Sequence, residues 1–251
     1  MQVLVLGSGA GPTHGSGTNT SNAGRTRASV ALSSDGQRWV LLNASPDIAQ
    51  QLSLQPRLPA RAAAGGRSFE AIVLMDAQID GTVGLLSLRD GPPLEVYATS
   101  GVFDDLTTTL PILSALQHYC GVHWHLLAVA GEQRAFGFTI DAAPGLQFEA
   151  VAIAGQAPRH SVRRDDPAVG DTIALRVLDT ATGRRLFYAP NLDAAGAAEL
   201  ALMNDADMVL VGEALWRAPT GAALDSTTLD DHAAFAHRSI QVACDGMALT
   251  V

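Results

Sequence analysis

Two aspartates and a glutamine lie close together in a short acidic loop, Asp76-Ala77-Gln78-Ile79-Asp80-Gly81. The loop follows an apolar, β-branched run that ends at Met75, and an amphipathic segment begins just beyond it. In α/β folds a buried strand commonly delivers polar side chains to a site at its own carboxyl end. The pattern therefore predicts a metal or ligand site, with Asp76 and Asp80 as candidate catalytic groups and Asp76, Gln78 and Asp80 as candidate metal ligands.

The loop also has a structural interpretation, in which Asp76 and Asp80 cap the following helix and brace the turn. Carboxylate and amide oxygens suit a hard cation such as magnesium or calcium better than iron. An iron oxygenase typically needs two imidazoles beside one carboxylate, and the loop contains no histidine. The catalytic and the structural interpretation both remain open from the residues alone.

One His-x-His motif, His123-Trp124-His125, stands outside this loop. On a strand its two imidazoles would lie on the same face, which is a spacing typical of metal ligands. Its place on a peripheral strand, away from the acidic loop, favours two exposed or half-buried histidines over a metal site.

The composition restricts the class of protein. The chain has 251 residues, 47% of them hydrophobic, which predicts a single domain over residues 1–251. The net charge is −9, which argues against a nucleic-acid partner, since phosphate binding needs a clustered positive face. Two cysteines are too few for a disulfide framework, and no apolar window of about 18 residues predicts a membrane span. We expect a cytoplasmic protein without a membrane partner.

Strand signals come in pairs separated by turn residues, with helical segments between and after them. We predict strands at Val3–Leu6, Ala28–Leu32, Trp39–Leu42, Ile72–Met75, Leu94–Ala98, Val122–Val129, Phe136–Ile140, Leu146–Ile153, Asp171–Leu178, Arg185–Tyr188, Met208–Val211, Ile240–Ala243 and Met247–Val251. We predict helices at Ile48–Leu54, Gly84–Arg89, Gly101–Leu116 and Ala194–Asn204. Ser45 or Asp47 is expected to cap the first helix. This order predicts an α/β fold in which helices sandwich two sheets, an αββα body.

A series of segments runs along most of the chain: GSGAG, RASVALSSDGQRWVLLNASPDI, AIVLMDAQIDGTVGLLSLRDGPPLEVYAT, DDPAVGDTIAL, GRRLFYAPNL, DADMVLVGEALWR and VACDGMALTV. The combination of NASPD, the AQID loop followed by GLLSLR, and LFYAP is specific. In content and order the series resembles the coenzyme PQQ synthesis protein B family. The resemblance implies a metallo-β-lactamase-like αββα sandwich and a role in the biosynthesis of pyrroloquinoline quinone (PQQ).

Two functions follow from the resemblance, and both stay open. One is iron-dependent, or other divalent-metal-dependent, hydroxylation of a tyrosine-derived PQQ precursor. The other is a non-catalytic binding or carrier role for PQQ or its precursor, a small aromatic, acidic molecule. A homodimer is included among the expected assemblies. The ligand-binding candidates are Asn43, Ser45, Asp47, Gln78 and Tyr188.

The chain departs from the family at several positions that matter for a metal. Where the family's loop ends in Asp-His, this chain has Asp80-Gly81, so that imidazole is absent. Glu213 lies beside the position at which the family carries an aspartate, and it becomes a further candidate metal ligand. The stretch between Pro219 and Leu229 is shorter than in the family, which predicts a sandwich truncated near its C-terminal half. Thr18–Ala23 replaces a cysteine cluster, so a structural zinc is not expected.

Overall fold

Two β-sheets form the centre of the molecule in the computed structural model, which describes residues 1–9, 25–58, 67–192, 195–212 and 243–251. The strands are β1 (Gln2–Gly7), β2 (Ser29–Ser33), β3 (Val40–Leu42), β4 (Ala71–Val73), β5 (Leu94–Thr99), β6 (Val122–Leu127), β7 (Ala135–Thr139), β8 (Leu146–Ala152), β9 (Ile173–Asp179), β10 (Arg185–Ala189), β11 (Met208–Val211) and β12 (Ala248–Thr250). The first sheet has the order β12-β1-β2-β3-β4-β5-β6, and the second has the order β11-β10-β9-β8-β7.

Side-chain alternation along the strands separates an inner core from two outer ones, because successive residues of a strand point to opposite faces. Val40 and Leu42 of β3 pack into the core between the two sheets, whereas Leu41 packs on the other face of the first sheet. On β10, Tyr188 lies in the inner core, and Phe187 lies in the outer core of the second sheet. Both sheets are therefore apolar on two faces and need helices outside them.

The helices cover these outer faces. They are α1 (Ile48–Ser53), α2 (Ile79–Thr82), α3 (Ser100–Thr107), α4 (Ile112–Leu116) and α5 (Ala197–Asp205), with a 3₁₀ helix at Val83–Leu88. Residues of α1, α3, α4 and the 3₁₀ helix join the outer core of the first sheet, and Met203 of α5 joins that of the second. The predicted α/β class and αββα layering are confirmed. No helix in the described ranges is long and apolar enough to cross a membrane.

Some local predictions were wrong. The single helix predicted at Gly101–Leu116 is two helices, because threonine hydroxyls after α3 hydrogen-bond back to the carbonyls of Asp104 and Asp105, and because Pro111 has no N–H to continue the ladder. Asp47 occupies the cap position of α1 without a capping hydrogen bond, and the Ser45 hydroxyl donates to Gln51 instead.

Other differences concern boundaries. The segment predicted as a helix at Gly84–Arg89 is a 3₁₀ helix preceded by α2, and α5 begins at Ala197 rather than at residue 194. The predicted strand Ile240–Ala243 lies almost wholly outside the described residues, as do Glu213 and the stretch Pro219–Leu229.

The carboxyl ends of parallel strands meet at one edge of the first sheet. β3, β4, β5 and β6 run parallel, and β1 has the same direction because it pairs antiparallel with β2, as β3 does. Just beyond β4 the chain reaches the second sheet, where the Ile173 N–H donates to the Met75 carbonyl at 2.9 Å. Asp76 is also paired with Thr172 in an isolated antiparallel bridge. The acidic loop therefore begins where the two sheets touch.

Candidate functional site

Asp76 is buried at the start of the loop, with no exposed surface. One carboxylate oxygen accepts the backbone N–H of Gln78 at 2.8 Å, and the other accepts the side-chain amide of Asn191. Burial raises the pKa of Asp76 to about 6, although these two hydrogen bonds act in the opposite direction, and the charge of Asp80 adds to the rise. A carboxyl group poised in this way can hold or release a proton near neutral pH.

Two buried hydroxyl groups near Asp76 have no hydrogen-bond partner among the described residues, namely those of Tyr188 and Thr172. Both side chains are only 3% exposed. The pKa of Tyr188 is raised by burial and further by the negative charge of Asp76, which puts this ring near the carboxylate. Buried polar atoms without partners are costly, so their presence beside a carboxyl group is typical of a site that takes a polar ligand or water.

Asp80 and Gln78 face outward from the same loop. The Asp80 carboxylate pairs with the Arg27 guanidinium at 3.0 Å, with 45% of the aspartate side chain and 29% of the arginine side chain exposed. The amide of Gln78 donates to the Gln156 carbonyl at 3.0 Å. The backbone N–H of Arg27 also donates to the Asp47 carboxylate at 2.9 Å, so this one arginine brings Asp47 and Asp80 together.

The chain after β3 supports the loop from below. Asn43 has a positive φ of 63°, and its side-chain oxygen accepts the backbone N–H of Met75 at 2.9 Å. The Ala44 N–H donates to the Gly81 carbonyl at 2.7 Å, which ties the turn after β3 to the loop after β4. Ser45 is completely buried, and its hydroxyl donates to Gln51. The structure thus assigns Asn43 and Ser45 a supporting position beneath the loop.

Sequence reasoning missed three side chains that touch this region: Arg27, Thr172 and Asn191. Asn191 comes two residues after β10, much as Asp76 follows β4, and its position after a strand was a usable signal. Arg27 and Asp80 are 53 residues apart in the sequence, and no local pattern predicts that they pair. Glu213, the remaining candidate metal ligand, lies outside the described residues.

The loop side chains do not fit an iron or zinc ion. Within the described ranges, no group of three or more His, Cys, Asp or Glu side chains is arranged to hold a metal. The Asp76 oxygens are already occupied by hydrogen-bond donors, and Asp80 is paired with a guanidinium, which would repel a second cation. Zinc and non-haem iron sites are built on imidazole or thiolate ligands, which Asp76, Gln78 and Asp80 cannot supply.

Two surface cavities, of about 340 and about 330 Å³, lie elsewhere on the described part of the molecule. The first is formed by β8, β9, β10 and α5, and the second lies near Thr182, Met208 and Val251. Neither is lined by the acidic loop.

Comparison with known proteins confirms the predicted resemblance. A family model described as β-lactamase superfamily domain matches residues 38–243. Coenzyme PQQ synthesis protein B of Pseudomonas putida (strain GB-1) is 46% identical over 194 residues, which cover 76% of this chain and 62% of that protein. Its counterpart from Methylococcus capsulatus is 43% identical over 200 residues, covering 79% of this chain and 64% of that protein. The chain thus spans less than two thirds of the length of these curated relatives.

A solved structure points the same way. The crystal structure of Zn²⁺-bound PqqB from Methylobacterium extorquens superposes with a TM-score of 0.69 and 28% sequence identity, covering 84% of this chain and 72% of that chain.

Proposed function

This chain belongs to the β-lactamase superfamily, and we propose that it acts in PQQ biosynthesis as a relative of coenzyme PQQ synthesis protein B. The observation that carries the proposal is the 46% identity over 194 residues, a stretch long enough to include most of the sandwich. Fold alone would not support a function, since one fold hosts many activities.

Within this pathway we favour binding of PQQ or of an acidic aromatic precursor over metal chemistry. The Arg27 guanidinium is partly exposed beside the loop, and among the described residues its side chain pairs with one carboxylate, that of Asp80. A ligand carboxylate can compete with Asp80 for this guanidinium, because both present the same planar pair of oxygens. The unpartnered hydroxyls of Tyr188 and Thr172 supply further hydrogen-bonding groups close to Asp76.

Isothermal titration of the protein with PQQ tests the binding role. We expect heat of binding in the wild type and an affinity about tenfold lower in Arg27→Ala, which corresponds to about 1.4 kcal/mol. Arg38→Ala is the matched control, since Arg38 also forms an exposed ion pair, with Asp35 at 3.0 Å, on a turn remote from the loop. The absence of heat with the wild type would contradict the binding role. An equal loss of affinity in Arg38→Ala would show that the effect arises from the net charge of the protein and not from the position of Arg27.

Tyr188→Phe probes the buried hydroxyl without changing the shape of the ring. Since this hydroxyl has no partner in the described part of the chain, its removal should raise the free energy of unfolding by about 1–3 kcal/mol. The same variant should bind PQQ more weakly than the wild type. Urea denaturation and the PQQ titration measure the two effects, and a variant that is both less stable and unchanged in binding would contradict a ligand-facing hydroxyl.

Metal-dependent oxidation of a tyrosine-derived precursor is the second candidate, and the zinc in the Methylobacterium extorquens structure is the observation that favours it. Elemental analysis after anaerobic reconstitution with iron separates the two functions. Stoichiometric iron that is lost in Asp80→Ala would support the metal-dependent reaction. Protein that stays empty after reconstitution, yet binds PQQ, would remove it.

A further inference from the structure

The last strand of the first sheet, β6, has a hydrogen-bonding edge that no other strand covers in the described part of the chain. It pairs there with β5 alone, in parallel and in one unbroken register. Of the four strands at the ends of the two sheets, β6 is the longest, with six residues against five in β7, four in β11 and three in β12. A long edge without a bulge is a template for one more strand.

The backbone groups at this free edge belong to alternate residues of β6. The Leu94 N–H donates to the carbonyl just before β6 at 3.1 Å, so the odd-numbered residues of β6 direct their backbone groups toward β5. Val122, Trp124 and Leu126 therefore direct theirs outward. The side-chain amide of Gln117 donates to the Val122 carbonyl at 3.3 Å, which agrees with this direction.

One face of the edge is apolar and incompletely covered. Leu126 is 49% exposed, and among the exposed large hydrophobic side chains of the described ranges it alone lies on a strand. Val122 and Trp124 share its face of β6 and pack against the outer core of the first sheet. The strand contains no Lys, Arg, Asp, Glu or Pro, which are the residues that commonly keep an edge from pairing. Its sequence therefore does not oppose the addition of a strand.

The other face of β6 carries two histidines that the protein itself engages. The Nδ1 atom of His123 lies 2.7 Å from one carboxylate oxygen of Glu95, and the Nε2 atom of His125 lies 2.6 Å from the other. Tyr97 also stacks on the His125 ring, with ring centres 4.3 Å apart. Because Glu95 and Tyr97 both belong to β5, these contacts turn the imidazoles toward β5 and leave the edge of β6 accessible.

We propose that β6 pairs with β6 of a second copy of this chain, antiparallel about a two-fold axis at Trp124. In an antiparallel pair, directly opposite residues share a face of the sheet, and residues whose backbone groups face the partner exchange hydrogen bonds. Even-numbered residues of β6 must therefore lie opposite even-numbered ones. An axis at Trp124 sets Val122 opposite Leu126 of the partner subunit, and it engages all three edge-facing residues of each copy.

A second copy is the occupant that the strand's own sequence fits. On one face the exposed leucine gains an apolar neighbour, and on the other His123 lies opposite His125 of the partner subunit. The Val122 carbonyl exchanges the Gln117 amide for a backbone N–H. Such an interface is isologous, as in most homodimers, and gives the expected homodimer a specific surface. Because two short strands bury less area than a standard interface, we expect a weak dimer with a Kd in the micromolar range.

Analytical ultracentrifugation of the intact protein over about a hundredfold range of micromolar concentrations tests the dimer. We expect the average mass to rise from monomer toward dimer, and Leu126→Lys to raise the Kd at least about tenfold, since a charge on an edge opposes pairing. Leu54→Lys is the matched control, because Leu54 is 67% exposed just after α1, outside β6, and should dimerise like the wild type. Thermal unfolding checks that both variants fold. A wild type that stays monomeric throughout, or equal weakening by both substitutions, would overturn the proposal.

Disulfide cross-linking tests the register of the two strands. Both natural cysteines, Cys120 and Cys244, are free and are first replaced by serine. A mixture of His123→Cys and His125→Cys proteins should cross-link on mild oxidation, because opposite residues of a pair without hydrogen bonds have Cα atoms about 4.5 Å apart, within reach of a disulfide. Neither protein should cross-link alone, since neither position faces itself in this register. Cross-linking of one protein alone, or none in the mixture, would contradict the pairing about Trp124.

Discussion

At the scale of single residues, Asp76 is a fully buried aspartate whose pKa lies clearly above its ordinary value. It is buried between the sheets, its two oxygens accept two hydrogen bonds, and its pKa is raised to about 6. Desolvation thus outweighs hydrogen bonding at this position. The carboxylate is retained at a position where a neutral side chain would be cheaper to bury, which is typical of a functional group.

Asp76→Asn tests this balance through the pH dependence of stability. Because the folded pKa lies above that of the unfolded chain, the native state binds more protons between the two values, and the stabilising contribution falls as pH rises through that window. A shift from 3.8 to about 6 corresponds to about 3 kcal/mol. Relative to Asp76→Asn, the wild type should therefore lose up to about 3 kcal/mol between pH about 4 and about 7. Urea denaturation at both pH values measures the difference in stability between the wild type and Asp76→Asn. A difference that stays constant with pH would contradict the raised pKa.

At the scale of elements, one arginine connects the segment before β9 to α3. Arg163 donates to Asp171 at 2.8 Å, to Asp105 at 3.0 Å and to the Gly101 carbonyl at 2.9 Å. The Asp105 and Asp171 side chains are only 2% and 3% exposed. The same segment contains Gln156, whose carbonyl accepts the amide of Gln78, so this anchor also positions a wall of the candidate site.

Arg163→Ala should lower the free energy of unfolding by about 3–5 kcal/mol, because it leaves buried carboxylates without their cation. The stability of Arg163→Lys should lie between those of the wild type and Arg163→Ala, since an ammonium group keeps the charge but cannot reproduce the planar fork of the guanidinium. The neighbouring Arg164→Ala is the control: its exposed pair with Asp165 at 3.2 Å should contribute less than about 1 kcal/mol. Equal effects at both positions, measured by chemical denaturation, would contradict the anchoring role.

The turn after β3 and the helical segment after the loop approach each other closely at Gly84. A Cβ atom there would lie 1.9 Å from the Ser45 carbonyl oxygen and 2.6 Å from that of Ala44. At Gly81 a Cβ would lie 3.2 Å from side-chain atoms of Asn43, a contact that a small movement relieves. Position 81 can therefore accept a methyl group if Asn43 moves by a few tenths of an ångström, and position 84 cannot.

We expect Gly84→Ala to lower the free energy of unfolding by about 3 kcal/mol or more, because the clash is with backbone. Gly81→Ala should stay within about 1 kcal/mol of the wild type, since the higher helix propensity of alanine offsets the displacement of Asn43. Thermal and chemical unfolding of the two variants side by side provide the measurement. Similar losses in both would show that the loop is as tightly packed at position 81 as at position 84.

At the scale of the whole molecule, Asp245 joins distant parts of the chain. Its carboxylate accepts the N–H and hydroxyl of Ser8 at 2.8 Å each, and the N–H and hydroxyl of Thr26 at 2.6 and 2.7 Å. Partial burial would raise the pKa of Asp245, but the hydrogen bonds from Thr26 and Ser8 outweigh it and hold the pKa below its usual value. The segment that leads into β12 is thereby fastened to the end of β1 and to the chain before β2.

Asp245→Asn should be destabilising by about 2 kcal/mol at neutral pH, because a charged acceptor of several hydrogen bonds is lost. A lowered folded pKa gives stability that is present above the unfolded pKa and is lost as pH falls, so the destabilisation should shrink toward acidic pH. The sign is opposite to that expected at Asp76. Measurement of Asp245→Asn at neutral pH and again below the unfolded aspartate pKa of about 3.9 tests this, and a gap that widens in acid would contradict the assignment.

Much of the sandwich could be predicted from the sequence. Alternation in segments such as Val40–Leu42 and turn residues such as Asp35-Gly36 are local signals, and the structure has strands and a tight connection at these places. The helix break after Thr107 was not predicted, because the apolar pattern continues through Pro111. The threonine hydroxyls that hydrogen-bond to backbone carbonyls at the end of α3 leave no mark on that pattern. Local patterns therefore predicted the strands better than the ends of the helices.

The sequence by itself determined the class of fold, the resemblance to a known family and the acidic loop after β4, since all three depend on residues that are neighbours in the chain. Only the tertiary structure decided the partners: Arg27 for Asp80 across 53 residues, Asn191 for Asp76 across 115, and Glu95 for the two histidines of β6. Such pairings depend on the order of strands in the sheets and on how the sheets face each other. That order arises from the burial of apolar surface over the whole chain, which no short window of sequence contains.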